Sequence, residues 1–213
     1  MNFIKEVLNI YVERSDWFLL LILEHLAISF ISIILAIIIG LALGIWISAR
    51  DRVASVVLGV ANILYTIPSI SLLGMLIPVT GIGDCTAILA LAIYGIMPMI
   101  RNTYAGIKNV NEEIISAAIA MGSTEIQVMT KIKIPMALSI IIAGVRNVVV
   151  MTISVAAIAS FIGAGGLGVA VYRGITIFNP HLTFAGGFLI ALLALTLDFL
   201  LGILEKQIKK RRM

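Results

Sequence analysis

The sequence predicts an all-α integral membrane protein with about five transmembrane helices. Of its 213 residues, 61% are hydrophobic and 12% are charged, and the mean hydropathy is +1.15. The charged residues are confined to short windows between apolar runs that exceed the roughly 20 residues needed to span a bilayer. A soluble domain would need a charged exterior, and a membrane barrel would alternate apolar and polar residues. This pattern excludes both.

The first sixteen residues, 1–16, predict a short amphipathic helix that lies in the membrane interface. Ile4, Val7, Leu8 and Tyr11 recur at helical spacing, with polar residues between them. The acidic residues of this segment and the length of the following apolar run argue against a cleavable signal peptide. We therefore expect the first span to remain in the mature protein.

Five apolar runs are predicted to cross the membrane, within a transmembrane domain of residues 17–206 that precedes a basic tail, 207–213. They occupy residues 17–49, 53–79, 85–100, 136–162 and 180–205. In the first run, Gly40 and Gly44 lie one turn apart and predict a close contact with another helix. Pro68 breaks the second run near its middle, so this break should face protein or a water-filled path. At the start of the fifth run, Asn179 is typical of a helix cap and Pro180 of the first helical position.

The main polar interruption, residues 109–133, predicts two short helices separated by a glycine. Asn109 or Asn111 can cap the first helix, and Glu112 and Glu113 follow in its first turn, where carboxylates are favoured. Gly122 suits the left-handed residue that ends it, and the Ser-Thr pair that follows can cap a second helix ending near residue 133. This segment is too short and too polar to cross a bilayer. We expect it to lie along the membrane surface and contact a soluble partner.

The spacing of this segment resembles the EAA loop of ABC-importer permeases, whose pattern is Glu-Ala-Ala, x3, Gly, x9, Ile-x-Leu-Pro. The matching residues are Ala117, Ala118, Gly122, Ile132 and Pro135. Ser116 stands at the glutamate position and Ile134 at the leucine position. The resemblance implies a coupling helix that docks into a groove on a cytoplasmic ATPase, and the residues it assigns to coupling are Glu112, Glu113, Ser116, Ala117, Ala118, Gly122, Ile132 and Pro135. An ordinary interfacial helical hairpin is the alternative.

Three further strings resemble the permease subunits of osmoprotectant importers for glycine betaine, carnitine and choline. They are Thr66-Ile67-Pro68-Ser69, the segment 100–108 that starts with Ile100-Arg101-Asn102, and the segment 159–163 that starts with Ala159-Ser160-Phe161. The resemblance implies a type I importer of the MetI-like fold, with two permease subunits, identical or paralogous, and an external binding protein. ATP and Mg would be bound by two separate cytoplasmic ATPase chains. Tyr65 replaces the glutamine usual before Thr66, which leaves the ligand preference open.

The basic residues predict the orientation in a bacterial inner membrane. They cluster at the ends of apolar runs rather than along one face, so the net charge of +4 indicates membrane topology and not nucleic-acid binding. Most fall on the side of residues 109–133. The bias places this segment and the C-terminus in the cytoplasm and the N-terminus outside, with lipid around the spans.

Polar residues within the spans are candidates for a translocation path. The set comprises Asn62, Thr66, Pro68, Ser69, Tyr94, Arg146, Asn147, Thr152 and Ser154. Each polar side chain alone is more often a helix-to-helix hydrogen bond. Arg146 and Asp198 are charged residues inside spans four and five, where isolated charges are costly, and they lie at depths that allow pairing. A structural ion pair and a role in the path both remain open.

The glycine-rich stretch from Gly163 to Gly168 predicts a tight turn or re-entrant segment. A phosphate cradle is excluded because the glycine order is wrong and no lysine follows. Similar stretches in related permeases lie at the outer mouth, so the resemblance assigns Gly163, Gly165 and Gly166 to an outer gate.

The sequence offers no catalytic or metal site. Glu24 and His25 are predicted at the outer interface and His181 in an outer loop, without partners at metal-ligand spacing. Cys85 is interpreted as a small apolar filler.

The chain contains no Walker A motif, so we expect a transport subunit that does not handle ATP and is not an enzyme. A permease for another small polar solute, such as an amino acid, is an alternative. A secondary transporter is less favoured because no inverted repeat or midplane set of carboxylates is visible.

Overall fold

The computed structural model describes residues 2–210, and these form ten α-helices without any strand. The helices are α1 (Asn2–Glu13), α2 (Ser15–Ser48), α3 (Asp51–Thr66), α4 (Ser69–Thr80), α5 (Asp84–Lys108), α6 (Glu112–Ala120), α7 (Glu125–Val128), α8 (Ile134–Ala156), α9 (Gly168–Thr176) and α10 (Pro180–Lys210). A π-helical segment, Met129–Lys133, joins α7 to α8, and a 3-10 segment, Ala157–Ile162, follows α8. The last three residues of the predicted basic tail lie outside the described range.

Four helical stretches are long and apolar enough to cross a membrane: Ser15–Ser48, Asp84–Lys108, Glu125–Ile162 and Pro180–Gln207. The pair α3 and α4 adds a fifth crossing if it is counted as one broken span. The predicted class, an all-α membrane protein with about five spans, is confirmed as an all-α protein with four to five such helices.

The second predicted span, 53–79, differs most from the expectation. It consists of two helices of 16 and 12 residues that meet at 99°. Pro68 has no backbone N–H and disfavours a helical residue before it, and Ile67 accordingly adopts extended backbone angles. At 1.5 Å per residue, neither half reaches the roughly 30 Å of a hydrocarbon core, so this is not one straight crossing.

The third and fourth spans extend further toward the α6–α7 segment than predicted. Helix α5 continues beyond residue 100 to Lys108. The predicted second surface helix, ending near residue 133, is not separate: a continuous helical stretch of 38 residues runs from Glu125 to Ile162. Pro135 lies directly after the π segment, at the second residue of α8, and the helical stretch continues through it.

Close packing of α2 against α5 forms the centre of the fold. A Cβ atom added at Gly40 would lie 2.6 Å from Cβ of Met99, and one added at Gly44 would lie 2.5 Å from Cβ of Thr103. The close contact predicted for this glycine pair is confirmed. In the reverse direction, Gly95 of α5 allows Ala36 of α2 to approach closely, since a Cβ atom added at Gly95 would lie 2.6 Å from Cβ of Ala36. Helix α8 completes the buried centre, in which Val148 is fully buried.

Helix α1, predicted as an amphipathic helix in the membrane interface, packs against α10. The Tyr11 hydroxyl donates a hydrogen bond of 2.8 Å to the carbonyl of Ala185, and Val7 is buried. Nδ1 of His181 lies 3.4 Å from a carboxylate oxygen of Glu6. His181, predicted as a simple loop residue, therefore contributes to attaching the N-terminal helix.

Replacing Gly44 with leucine should destabilise the protein, because the new side chain would overlap Thr103 and separate α2 from α5. Overpacking of this kind costs roughly 1–3 kcal/mol. Thermal unfolding of the purified protein in detergent measures the effect. Gly59→Leu is the matched control, since nothing lies within 4 Å of a Cβ atom added there. Equal unfolding midpoints for the two variants would contradict the packing role.

Candidate functional site

Helix α6 projects from the membrane helices with none of its residues buried. Of the two predicted caps, the structure selects Asn111, whose side-chain oxygen accepts a hydrogen bond of 2.8 Å from the backbone N–H of Glu113. Glu112 and Glu113 occupy the first turn, as expected from the helix dipole. The capped, exposed helix is suited to contact a partner protein.

The turn after α6 is held by hydrogen bonds at both ends. Gly122 has a φ of 88°, which confirms the predicted left-handed residue. The N–H of Ser123 donates to the carbonyl of Ala118 at 3.0 Å. Thr124 and Gln127 form a reciprocal capping box at the start of α7, so the glycine joins two defined helix ends.

The predicted coupling residues do not all share one surface. Ser116 and Ala117 are exposed on α6, whereas Ile132 and Pro135 are half-buried at the start of the long helix. The structure adds apolar residues that the sequence analysis did not single out: Ile119, Met121 and Ile126 are 57%, 87% and 75% exposed. Their apolar character in a polar segment was the available signal.

A cleft of about 530 Å³ separates this segment from the adjacent ends of α2 and α5. Ile115 and Ile119 line it from α6, Met129 from the π segment and Ser48 from the end of α2. Helix α6 is thus connected to the membrane helices mainly through its two ends.

Hydroxyl groups donate hydrogen bonds to the backbone carbonyls at the break between α3 and α4. The Tyr94 hydroxyl donates a hydrogen bond to the carbonyl of Ile67, and the Thr66 hydroxyl donates to the carbonyl of Ile63 at 2.7 Å. Backbone groups freed by a proline need such partners inside a membrane. Tyr94 therefore has a structural role at the break that the sequence analysis did not identify.

The predicted path residues separate into three groups. Asn62, Thr66, Pro68, Asn147 and Ser154 are exposed, and Ser69 is half-buried. Thr152 and Tyr94 are buried among the helices of this chain, at 0% and 8% exposed. Arg146 lies on the side of α8 that faces α10, where it pairs with Asp198.

Arg146 and Asp198 form the ion pair that the sequence left open. The guanidinium donates to both carboxylate oxygens, at 2.5 and 2.6 Å, and it also lies 3.4 Å from Glu205. This bidentate geometry joins α8 to α10. A structural role for Arg146 is favoured over a role in the path.

The glycine-rich loop is clamped by two carboxylates from other helices. The N–H of Gly165 donates to Asp84 at 3.0 Å, and the N–H of Gly166 donates to Glu24 at 2.9 Å. Gly163 and Gly166 have φ values of 78° and 92°, in agreement with the predicted turn. The loop therefore closes over the N-terminal part of α2 and the N-terminal end of α5.

Glu24 and His25 are not the simple interface residues that we predicted. His25 is 1% exposed, and its Nε2 lies 3.1 Å from the carbonyl of Ile153 in α8. An acidic residue beside a histidine within an apolar run was the signal for such a role. Cys85, interpreted from the sequence as a small apolar filler, is exposed in this chain. Among the described residues, no cluster of potential metal ligands is found.

Comparison with known proteins gives consistent matches across nearly the whole chain. A family described as "Binding-protein-dependent transport system inner membrane component" matches residues 32–210. The carnitine transport permease protein OpuCD of Listeria monocytogenes is 38% identical over 207 residues, covering 97% of this chain and 93% of that protein. The glycine betaine/carnitine/choline transport system permease protein OpuCB of Bacillus subtilis is 37% identical over 185 residues, covering 87% and 85%.

The fold is also similar to a solved structure. The inward-facing MetNI methionine ABC transporter matches with a TM-score of 0.84 and 25% identity, covering 92% of this chain and 98% of the matched chain.

Replacing Arg146 with methionine should destabilise the protein more than replacing both Arg146 and Asp198 with apolar residues. The single change leaves a carboxylate without its cation, whereas the double change removes both charges. Midpoints of thermal unfolding for R146M, D198L and the double variant measure this coupling. Additive effects of the two single changes would show that the pair does not connect the helices.

Replacing Gly166 with alanine should loosen the glycine-rich loop. The added Cβ would lie 3.0 Å from Nδ1 and from Cα of His25. Gly163→Ala is the control, because it has a similar positive φ but nothing within 4 Å. Limited proteolysis of the loop should therefore be faster in G166A than in G163A, and equal rates would argue against a close contact with His25.

Proposed function

Because the chain belongs to the family of binding-protein-dependent transport system inner membrane components, we propose that it is the permease subunit of an ATP-driven importer. The proposed cargo is a small quaternary ammonium osmoprotectant: glycine betaine, carnitine or choline. The names of relatives that are 37% and 38% identical over most of the chain support this cargo. The exposed and doubly capped segment at α6 is the observation that carries the coupling role.

The proposed assembly contains two permease subunits, identical or paralogous. The apolar surface of α3 and α4 supports this, since Val56, Ile63, Met75 and Val79 are 64–83% exposed in the single chain. An exposed apolar face of this kind is covered either by lipid or by another subunit. Two cytoplasmic ATPases, which bind ATP and Mg, and an external binding protein complete the importer. This chain itself is not an enzyme.

The helical stretch Glu125–Ile162 provides a mechanical connection across the membrane. Its 38 residues correspond to about 57 Å at 1.5 Å per residue. It starts beside Gly122 in the coupling segment and ends at Gly163 in the glycine-rich loop. When ATP binding closes the ATPases, movement of α6 would pass along this helix to the outer gate formed by Gly163, Gly165 and Gly166.

The basic residues support an orientation with the C-terminus and α6 in the cytoplasm and the N-terminus outside a bacterial inner membrane. Arg50 and Lys108 lie at the ends of helices on this side, and Lys108 pairs with Asp51 at 2.5 Å.

A permease for an amino acid is the second candidate. The fold similarity to the methionine transporter favours it, but at 25% identity this match is weaker than those to the osmoprotectant permeases. Uptake by the importer reconstituted in proteoliposomes with its ATPase and binding protein distinguishes the two. Uptake of methionine but of none of the three ammonium solutes would reject our proposed cargo.

Replacing Gly122 with valine should reduce ATPase binding and ATP-driven uptake about tenfold or more, because a bulky residue at the turn would block docking. Gly81→Val is the matched control. Gly81 also has a positive φ and nothing within 4 Å, but it lies at the opposite end of the bundle. Co-purification with the ATPase and uptake in proteoliposomes measure the effect.

An importer that retained full uptake with G122V would not use this turn for coupling. Ion-driven uptake by the permease without any ATPase would instead identify a secondary transporter.

A further inference from the structure

Arg101 is an exposed cation on α5, within a helical stretch that is long and apolar enough to cross a membrane. It lies on α5 about 10 Å before the helix ends at Lys108. The ion pairs found among the described residues do not include it, and its side chain donates one hydrogen bond, of 2.9 Å, to the amide oxygen of Asn62. A guanidinium is costly in hydrocarbon. This surface must therefore face water or another polar group.

The direction of the Arg101 side chain supports a water-filled path. Asp51 pairs with Lys108 and marks the cytoplasmic ends of α3 and α5. Asn62 is about 16 Å along α3 from Asp51. The Arg101 side chain thus extends away from the cytoplasmic ends, toward Asn62. An arginine that faced lipid would instead extend toward the cytoplasmic surface.

An aromatic surface lies one turn further along α3. Tyr65 is 45% exposed, and its ring lies edge-on to Tyr94 with 5.9 Å between centroids. The Tyr65 hydroxyl lies 3.6 Å from the sulfur of Met151 on α8. Tyr94 is in turn hydrogen-bonded to the backbone break. Tyr65 is therefore held in place from two sides while part of its ring stays accessible.

The ring and the guanidinium are close to each other. Asn62 and Tyr65 are three residues apart on α3, which places their Cβ atoms about 5–6 Å apart on one helix face. Because Arg101 is hydrogen-bonded to Asn62, its charge lies within about one turn of the Tyr65 ring. No acidic side chain is found bonded to either group in the described part of the chain.

These two groups match the two ends of a zwitterionic ammonium solute. A quaternary ammonium group has no N–H to donate, so an aromatic ring is the side chain that recognises it. A carboxylate is recognised by a guanidinium. We propose that Tyr65 and Arg101 form a binding station in the path for trimethylammonium carboxylates, and that the station discriminates against choline, which has no carboxylate. This inference rests on the proposed function.

The station predicts a difference in affinity that can be measured without the binding protein. Saturation-transfer NMR on the trimethylammonium protons reports binding of glycine betaine and of choline to the permease assembled with its ATPase. Tyr65→Leu should weaken binding of both solutes about three- to thirtyfold, and Tyr65→Phe should retain it. Arg101→Gln should weaken the binding of glycine betaine about tenfold, whereas the affinity for choline should stay the same or increase.

Arg52→Gln is the control for a change in surface charge, since Arg52 is exposed in the first turn of α3. It should alter neither affinity. Thermal unfolding of each variant confirms that the assembly is intact, and the ratio of the two affinities in R101Q does not depend on the amount of folded protein.

Two outcomes would overturn the proposal. One is an equal change of both affinities in R101Q, which would assign Arg101 to contact with the second permease subunit. The other is an absence of saturation transfer in the wild-type assembly while uptake of glycine betaine proceeds. A different result would reject the proposed function itself: uptake of none of the three ammonium solutes by the complete wild-type importer.

Discussion

The close contact between α2 and α5 positions most of the functional surface. Gly40 and Gly44 allow the backbone of α2 to approach Met99 and Thr103, and Gly95 does the same for Ala36 from the opposite helix. In a membrane, where lipid competes for apolar surface, such small residues let helices associate through close van der Waals packing. Because α5 is held in this way, the groups it carries occupy defined places.

Two of those groups determine the surface beside the bend. Tyr94 hydrogen-bonds the carbonyl of Ile67 where Pro68 interrupts the helix, and Arg101 hydrogen-bonds Asn62 on the preceding helix. A broken helix within a bilayer is stable only where its free backbone groups find partners. The bend is therefore a consequence of α5 as much as of the proline. It leaves polar and aromatic side chains accessible on a face that the single chain does not cover.

The long helical stretch through α8 connects the two ends of the molecule. At one end it begins in a capping box next to Gly122, and at the other it ends at the glycine-rich loop, which is bound by Glu24 and Asp84. The π segment lies between the surface portion and the portion within the bundle. Such segments are often found at functional sites because they change the hydrogen-bond register of a helix locally. A single helical stretch thus joins the segment at α6 to the glycine-rich loop.

Local patterns in the sequence determined the membrane class, the approximate positions of the spans, the cap at Asn111 and the left-handed turn at Gly122. Hydropathy and helix-end preferences depend on residues near each other in the chain, so they can be recognised without a structure. The tertiary structure alone decided the 99° bend, the continuity of the helix through Pro135, the pairing of Arg146 with Asp198, and the binding of the outer loop by Glu24. These features join residues far apart in the sequence, and only packing of the helices brings their side chains within hydrogen-bonding distance.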